Sequence, residues 1–358
     1  MKLKRIWKIV LGLNLFFIIF VIGIIVFYNS SMSATDKSNN TSVVFTIDAG
    51  TTTKQIAKNL EDANLIRNKN VFLVYVKLNK INNLQASTYK LNRTMNMKEI
   101  IKIISDGKGY NPDEITITFK EGKNIRSIAK VISENTNNKY EAVIKKVNDK
   151  KYIDTLIEEY WFIDKDVKKQ GLFYSLEGYL FPNTYNFDNK EVSIEEIFKT
   201  MLKETDRVLS IYKKEIEKSE FSIQEILTLA SVVELEGIKY KDRLNIASVF
   251  LNRLDIGMSL GSDVTACYAQ KIDDTTLCHN TADFNYPSGY NTRPISNLGL
   301  PTGPICNPSE SSIKAVLNAP DTDYLYFVAD KNTNTYFFKN QTEFYQKINE
   351  LKQNGEWL

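Results

Sequence analysis

Ile9 to Tyr28 is an apolar run broken only by Gly12, Asn14 and Gly23 before its closing tyrosine, and it commits the start of the chain to lipid. At a rise of 1.5 Å per residue, about 20 such residues cross a hydrocarbon core of about 30 Å. Lys2, Lys4, Arg5 and Lys8 precede the run, and no charge follows it closely. The positive-inside rule then keeps the N-terminus cytoplasmic and sends residues 29–358 outward as a single-pass membrane protein. The competing reading is a cleaved signal peptide: its apolar region is usually about 7–15 residues, shorter than this one, yet Ser31–Ala34 offers small residues for cleavage. No cysteine follows the run closely, which excludes a lipoprotein anchor.

Charge decides what the outer part does not bind. Without those four N-terminal cations, 42 basic and 43 acidic residues remain. A near-neutral body lacks the concentrated positive surface that phosphate backbones require, so no nucleic-acid partner is expected. A length of 358 residues, 43% hydrophobic and 25% charged, suits two or three folded domains. The single histidine, His279, cannot build a His-rich metal site. It also lies in no nucleophile-elbow pattern, which sets a Ser-His-Asp mechanism aside. Of the three cysteines, Cys267 and Cys278 could pair in an oxidising compartment or remain buried thiols; sequence gives no geometry to choose.

Residues 29–42 are rich in Ser, Asn and Thr and read as a flexible tether. Val43–Gly50 reads as a strand closing on a turn glycine, and Thr51–Leu60 opens a helix with Ile56, Ala57 and Leu60 on one face. The unit recurs 72 residues later: Thr46, Gly50, Ile56, Ala57 and Lys58 align with Thr118, Gly122, Ile128, Ala129 and Lys130. Between the copies, Val71–Leu78 reads as helix, Ser87–Leu91 as extended and Lys98–Ile104 as a second amphipathic helix. Residues 43–110 therefore form a compact α+β module, for which carbohydrate binding and ordinary supersecondary structure both stay open. Residues 115–220 are mostly helical, broken by Leu176-Glu-Gly-Tyr-Leu-Phe-Pro-Asn-Thr-Tyr185. Aromatics beside turn residues suit the wall of a sugar cleft, and equally a core loop.

One helix carries a chemically pointed pattern. Ser222-Ile-Gln-Glu225 is a capping box, and the helix it opens ends at Gly237. Ile223, Ile226, Leu227 and Ala230 form an apolar stripe, with Glu234 in its middle and Glu236 turned to the other side. Desolvation penalises a charged carboxylate, which is how a glutamic acid is kept protonated for general-acid work. The plainer alternative pairs Glu234 with a cation such as Arg243 or Arg253. Asp242–Leu254 then reads as another amphipathic helix, and Gly257–Pro308 as long irregular loops of the kind that bind ligands. A short helix from Ser309 or Ser311 to Leu317, strands at Tyr324–Ala329 and Thr335–Phe338, and a last helix over Gln341–Leu351 close the chain.

The order of Leu-Glu-Gly-Tyr-Leu-Phe-Pro-Asn-Thr-Tyr (176–185), Ala-Ser-Val-Val-Glu-Leu-Glu (230–236), Ala-Ser-Val-Phe-Leu-Asn-Arg-Leu (247–254), Ile-Gly-Met-Ser-Leu-Gly-Ser-Asp-Val-Thr (256–265), Tyr-Asn-Thr (290–292), Gly-Leu-Pro-Thr-Gly-Pro-Ile (299–305) and Tyr-Leu-Tyr-Phe-Val-Ala-Asp (324–330) resembles the endolytic murein transglycosylases, the YceG-like proteins. The resemblance implies an α+β chain with a transmembrane anchor at 1–28, a tether at 29–42 and a LysM-like module at 43–110. A mixed α/β catalytic domain then follows at 111–358, carrying a helical insertion over about 123–220. It implies that Glu234 is the catalytic residue, and that Asp263, Thr265, Tyr290, Asn291, Thr292 and Glu236 contact substrate. Gly261, Thr302 and Arg293 depart from the residues usual at those places.

The implied reaction cuts the glycosidic bond of N-acetylmuramic acid in a peptidoglycan glycan strand and closes a 1,6-anhydro ring. One carboxylate alternates as acid and base, without the usual second carboxylate and without a metal or nucleotide cofactor. Partners would be glycan strands, the cytoplasmic membrane and cell-wall synthases. The competing classes are a non-enzymatic, membrane-tethered peptidoglycan-binding scaffold and an ordinary muramidase.

Overall fold

The structure, a computed structural model, describes residues 2–357; the side chains of Lys2, Lys4, Arg5 and Lys8 lie outside what it describes. The chain forms two compact units, Met1–Pro112 and Asp113–Leu358.

The first unit begins with helix α1 (Lys2–Met32). Within it Leu11–Met32, 22 residues long, is long and apolar enough to cross a membrane, and its large apolar side chains from Leu11 to Phe27 stand exposed. Composition read residues 29–42 as a free tether, and the structure differs. The helix runs on to Met32, which packs into the core of this unit. The Arg67 guanidinium then donates to the Ala34 carbonyl at 2.9 and 2.7 Å and to the Thr35 carbonyl at 3.0 Å. Polar composition signals no preferred local conformation, and it is silent about a distant arginine that captures bare carbonyls.

The module itself runs β1 (Ser42–Ile47), α2 (Thr53–Asp62), α3 (Lys69–Leu78), β2 (Ser87–Asn92) and α4 (Met97–Asp106). β1 and β2 pair antiparallel with Phe45 opposite Tyr89. Strand alternation puts Phe45, Ile47, Tyr89 and Leu91 on the buried face, against Ile56, Ala57 and Leu60 of α2 and Ile100, Ile101 and Ile104 of α4.

In the second unit β3 (Ile115–Thr118) pairs antiparallel with β4 (Thr184–Phe187), Ile117 facing Tyr185. Helices α5 (Ile125–Asn135), α6 (Tyr140–Val147) and α7 (Lys150–Glu159) form the excursion between those strands. Helices α8 (Ile194–Ile211) and α9 (Lys213–Lys218) lead to α10 (Ile223–Glu236) and α11 (Tyr240–Asp255). Two short helices, α12 (Asp263–Ala269) and α13 (Thr275–Thr281), order part of the stretch that reads as irregular loop, and a Cys267–Cys278 disulfide ties them together. Then come α14 (Glu310–Leu317), the antiparallel hairpin β5 (Tyr326–Ala329) and β6 (Thr335–Phe338), and α15 (Gln341–Gln353). Both sheets here are antiparallel pairs, so the mixed α/β expectation for this part resolves as α+β.

Helix α10 starts at its capping box, with Glu225 and Ser222 satisfying each other's backbone N–H. Every side chain from Ile226 to Glu234 is buried. The expected single apolar stripe is therefore too narrow: α10 is a central helix, covered by α11 and α14. A helix that is apolar nearly all round has to be enclosed, and the covering helices come from later in the chain.

Candidate active site

Glu234 ends the buried part of α10, with 5% of its side chain exposed. Its Oε1 accepts from Arg243 Nη2 at 3.0 Å. Its Oε2 accepts from the Ser309 backbone N–H at 3.1 Å and from the Ser309 and Ser312 hydroxyls at 2.6 Å each. The sequence sets this up through two elements. Ser309 is the N-cap of α14, and Ser312 stands one turn on, so both hydroxyls face the same point. Arg243, on the first turns of α11, also donates to the Gly237 carbonyl at 2.8 Å and to Ser309 Oγ at 3.0 Å. It thus closes the C-terminus of α10 while neutralising the carboxylate.

A turn lies over this carboxylate. The ladder of β3 and β4 continues to Phe119, whose N–H donates to the Asn183 carbonyl at 2.9 Å. The next residues, Glu121–Lys123, dock on the segment before α14: Gly122 N–H donates to the Asn307 carbonyl at 3.1 Å, and Asn307 N–H to the Lys123 carbonyl at 3.0 Å. Gly122 has φ +70°, and a Cβ there would stand 3.6 Å from Glu234 Cγ and 3.3 Å from Leu235 Cδ2. The positive φ favours glycine, and a Cβ there would press on Leu235.

Cavities flank the turn on both sides. One, of about 590 Å³, is open and is lined by Glu121, Phe181, Asn183, Tyr212, Tyr240 and Lys314, among others. The other, of about 140 Å³, lies between Gly122–Asn124, Leu235 and the disulfide-tied α12–α13 hairpin with His279. The aromatic run 176–185 thus serves two ends. Leu176, Tyr179 and Leu180 are buried in the core, while Phe181, Pro182 and Asn183 reach the open cavity.

The remaining residues singled out from sequence cluster on the loop after α11. Thr265, Tyr290, Asn291 and Thr292 are buried and bonded inward. Thr265 and Thr292 share a hydroxyl contact at 2.9 Å, and the Asn291 amide donates to the carbonyls of Phe284 (3.0 Å) and Tyr286 (2.9 Å). The Tyr290 hydroxyl accepts from the Phe173 N–H at 3.1 Å. None of the four lines either cavity. Glu236 points away from Glu234, as its helical phase requires, and accepts from Ser262 Oγ at 2.5 Å. Burial pushes its carboxyl up; the Ser262 bond opposes this, Asp263 adds to it, and Arg253 and Arg293 pull back. Asp263 Oδ1 lies 3.0 Å from Arg293 Nη1 without the alignment of a hydrogen bond.

Sequence reasoning passed over Glu121, Glu177, Ser309 as an acid-holding group, and Ser312. Glu177 is 1% exposed and accepts from Ile125 N–H (3.1 Å), Tyr268 Oη (2.8 Å) and Asn307 Nδ2 (3.2 Å). Burial pushes it up to about 8 against those donors. The available signals were an acid inside an apolar-aromatic run and a Ser-x-x-Ser pair at a helix start. Among the described residues, no group of three or more His, Cys, Asp or Glu is placed to hold a metal ion.

Comparison with known proteins agrees over most of the chain. The YceG-like family matches residues 45–350. An endolytic murein transglycosylase of Bacillus subtilis is 36% identical over 323 residues, covering 90% of this chain and 88% of that protein. An endolytic murein transglycosylase of Streptococcus pneumoniae is 33% identical over 326 residues, covering 87% of this chain and 59% of that longer protein. The crystal structure of a YceG-like protein from Listeria monocytogenes superposes with a TM-score of 0.60 at 34% identity, covering 86% of this chain and 99% of that one.

Proposed function

The chain belongs to the YceG-like family, and from that premise we propose that it is a membrane-anchored endolytic murein transglycosylase. It cuts the bond between N-acetylmuramic acid and N-acetylglucosamine in nascent glycan strands, leaves 1,6-anhydro ends and so stops strand elongation. The observation that carries this reading is the buried Glu234 carboxylate, cradled by Arg243, Ser309 and Ser312 under a turn whose Glu121 lines an open cavity with Phe181, Tyr212 and Tyr240. A groove of this size and lining suits a sugar whose C–H faces stack on rings.

Two proton transfers are needed. The glycosidic oxygen gains a proton as its bond to C1 breaks and the electron pair leaves with it. The C6 hydroxyl then closes on C1 and gives up its proton. Glu234 serves the reaction at C1, within the acid–base alternation that a single carboxylate permits. Glu236 at the end of α10 and Asp263 at the start of α12 are proposed to meet the strand, while Thr265, Tyr290, Asn291 and Thr292 hold the segment after α11 in shape. Helix α1 is proposed to span the cytoplasmic membrane with its N-terminus inside, the module at 43–110 to be LysM-like, and cell-wall synthases to be neighbours.

Mass spectrometry of a purified glycan digest tests the proposal. The wild-type protein should yield anhydro-muramyl ends, and Glu234→Gln should fold but yield none. Binding without new ends would leave a tethered scaffold, and reducing ends would mean a muramidase.

A further inference from the structure

We infer that Asn307 is a positioning residue for the reaction at Glu234: it fixes the start of α14, and with it the donors on Glu234 Oε2, against the turn that lies over that carboxylate. The inference rests on the transglycosylase reading. Among the described residues Asn307 makes no hydrogen bond to Glu234; it acts through Ser309.

All three donors on Glu234 Oε2 come from the start of α14: the Ser309 N–H, the Ser309 hydroxyl and the Ser312 hydroxyl. Their aim is set by where the chain enters that helix. Pro308 stands immediately before the cap. It has no N–H to anchor the entry, and its ring confines the residue before it to extended backbone. Asn307 is therefore the last residue before the cap that can tie the entry down by its own N–H. Pro308 passes that placement to Ser309 through a stiff link.

Asn307 is 1% exposed, and every hydrogen-bonding group it has is used. Its N–H and its Nδ2 each donate to the Lys123 carbonyl at 3.0 Å, and its carbonyl accepts from the Gly122 N–H at 3.1 Å. Its Oδ1 accepts from the Leu180 N–H at 2.9 Å, and Nδ2 also donates to Glu177 Oε1 at 3.2 Å. Glu177 is fixed in turn by the Ile125 N–H at the start of α5 and by Tyr268 Oη on α12. One side chain thus joins the 121–123 turn, the 176–185 run and the entry to α14. An apolar residue would fill the same space. A buried amide with every group matched does more, because it specifies a single arrangement of the three segments. That arrangement sets the Cβ position of Gly122 3.6 Å from Glu234 Cγ and Ser309 Oγ 2.6 Å from Glu234 Oε2.

The test uses purified full-length protein. Asn307→Asp is nearly isosteric; it keeps the acceptor for the Leu180 N–H and loses the amide donors to Lys123 and Glu177. Assayed well below its melting temperature, it should lose about tenfold to a hundredfold in kcat on glycan strands, the scale of a misplaced reacting group, with KM within about twofold. Because Asn307 acts through Ser309, its kcat loss and that of Ser309→Ala should not multiply. Adding Asn307→Asp to Ser309→Ala should cost no more than about threefold further. Losses that multiply in full, a loss carried in KM alone, or wild-type kcat in Asn307→Asp overturn the assignment. Should Asn307→Asp not fold, Asn307→Ser, whose smaller side chain leaves room for a water, takes its place in the same cycle.

Backbone hydrogen exchange reads the positioning without turnover. The Ser309 and Gly122 amides should exchange about tenfold faster or more in the variant, while the α10 amides from Leu227 to Val233 stay as protected as in wild type. Unchanged exchange at Ser309 overturns the inference. A wild-type protein that makes no anhydro product from glycan overturns the transglycosylase reading instead, and exchange at Ser309 still decides whether Asn307 holds the cradle.

Discussion

Arg243 Nη2 lies 3.0 Å from Glu234 Oε1, with only 11% and 5% of the two side chains exposed. This buried pair joins the C-terminus of α10 to the start of α11, and Arg243 extends it to the cap of α14 through Ser309. Removing one partner of a buried pair strands the other. Arg243→Ala should therefore cost about 3–5 kcal/mol in urea unfolding of the second unit. The double variant Arg243→Ala/Glu234→Gln should recover part of that loss, because no orphaned charge remains. Strict additivity of the two single changes would contradict the coupling.

Ser312 caps nothing and touches Glu234 Oε2 directly. Ser312→Ala should reduce glycan cleavage by about tenfold to a hundredfold while leaving strand binding in place, as expected for a lost hydrogen bond to a charged group. Ser309→Ala removes both the hydroxyl donor and the N-cap of α14, so it should lower stability by about a further 1 kcal/mol. A thermal melt separates the two variants.

Glu177 gives the second unit a pH signature. Its carboxyl rises to about 8 in the fold from an ordinary value of 4.5, so between those values the folded state holds the proton more tightly than the unfolded chain. The associated stability is present in acid and is lost as pH climbs from about 4.5 to about 8. Glu177→Gln should flatten that decline by an amount on the order of a few kcal/mol. Urea midpoints at pH 5 and pH 8 measure it; a variant with an unchanged slope would remove Glu177 as its source.

Gly178 combines φ +87° with a Cβ position 2.6 Å from the Pro304 ring. Gly178→Ala must both strain the backbone and push the proline-bearing segment toward α10. A loss of more than about 2 kcal/mol is expected, together with weaker glycan cleavage. Equal stability of variant and wild type would show that the segment yields freely.

Reduction probes the small cavity. The Cys267–Cys278 link closes a loop with a separation of 11 residues, which on chain-entropy grounds is worth a little under ~3 kcal/mol. Dithiothreitol or the Cys267→Ser/Cys278→Ser variant should lower the melting temperature of the second unit by several degrees.

The strong local signals in the chain were readable. The capping box at Ser222, the recurring strand–glycine–helix unit and the closing hairpin all appear where the sequence pattern puts them. Glu234 stood out because a carboxylate on an apolar helix face is rare. Its cradle was not readable, since Ser309 and Ser312 lie 75 and 78 residues away and reach it only through the packing of α14 on α10. Glu121 escaped for the same reason: nothing in Lys-Glu-Gly distinguishes an ordinary turn from one laid across a buried acid. The short helices α12 and α13 hold too few residues for a periodic pattern; Thr292 bonds to Thr265 of α12, and the disulfide ties the two together.

Arg67 gripping the carbonyls of Ala34 and Thr35 has a mechanical meaning. A stalk stapled at its upper end to the first globular body is a stiff post, not a leash. With α1 seated in a bilayer, that body would ride at a nearly constant height above the lipid, and its search would be swept out by lateral diffusion in the plane rather than by the swing of a loose arm.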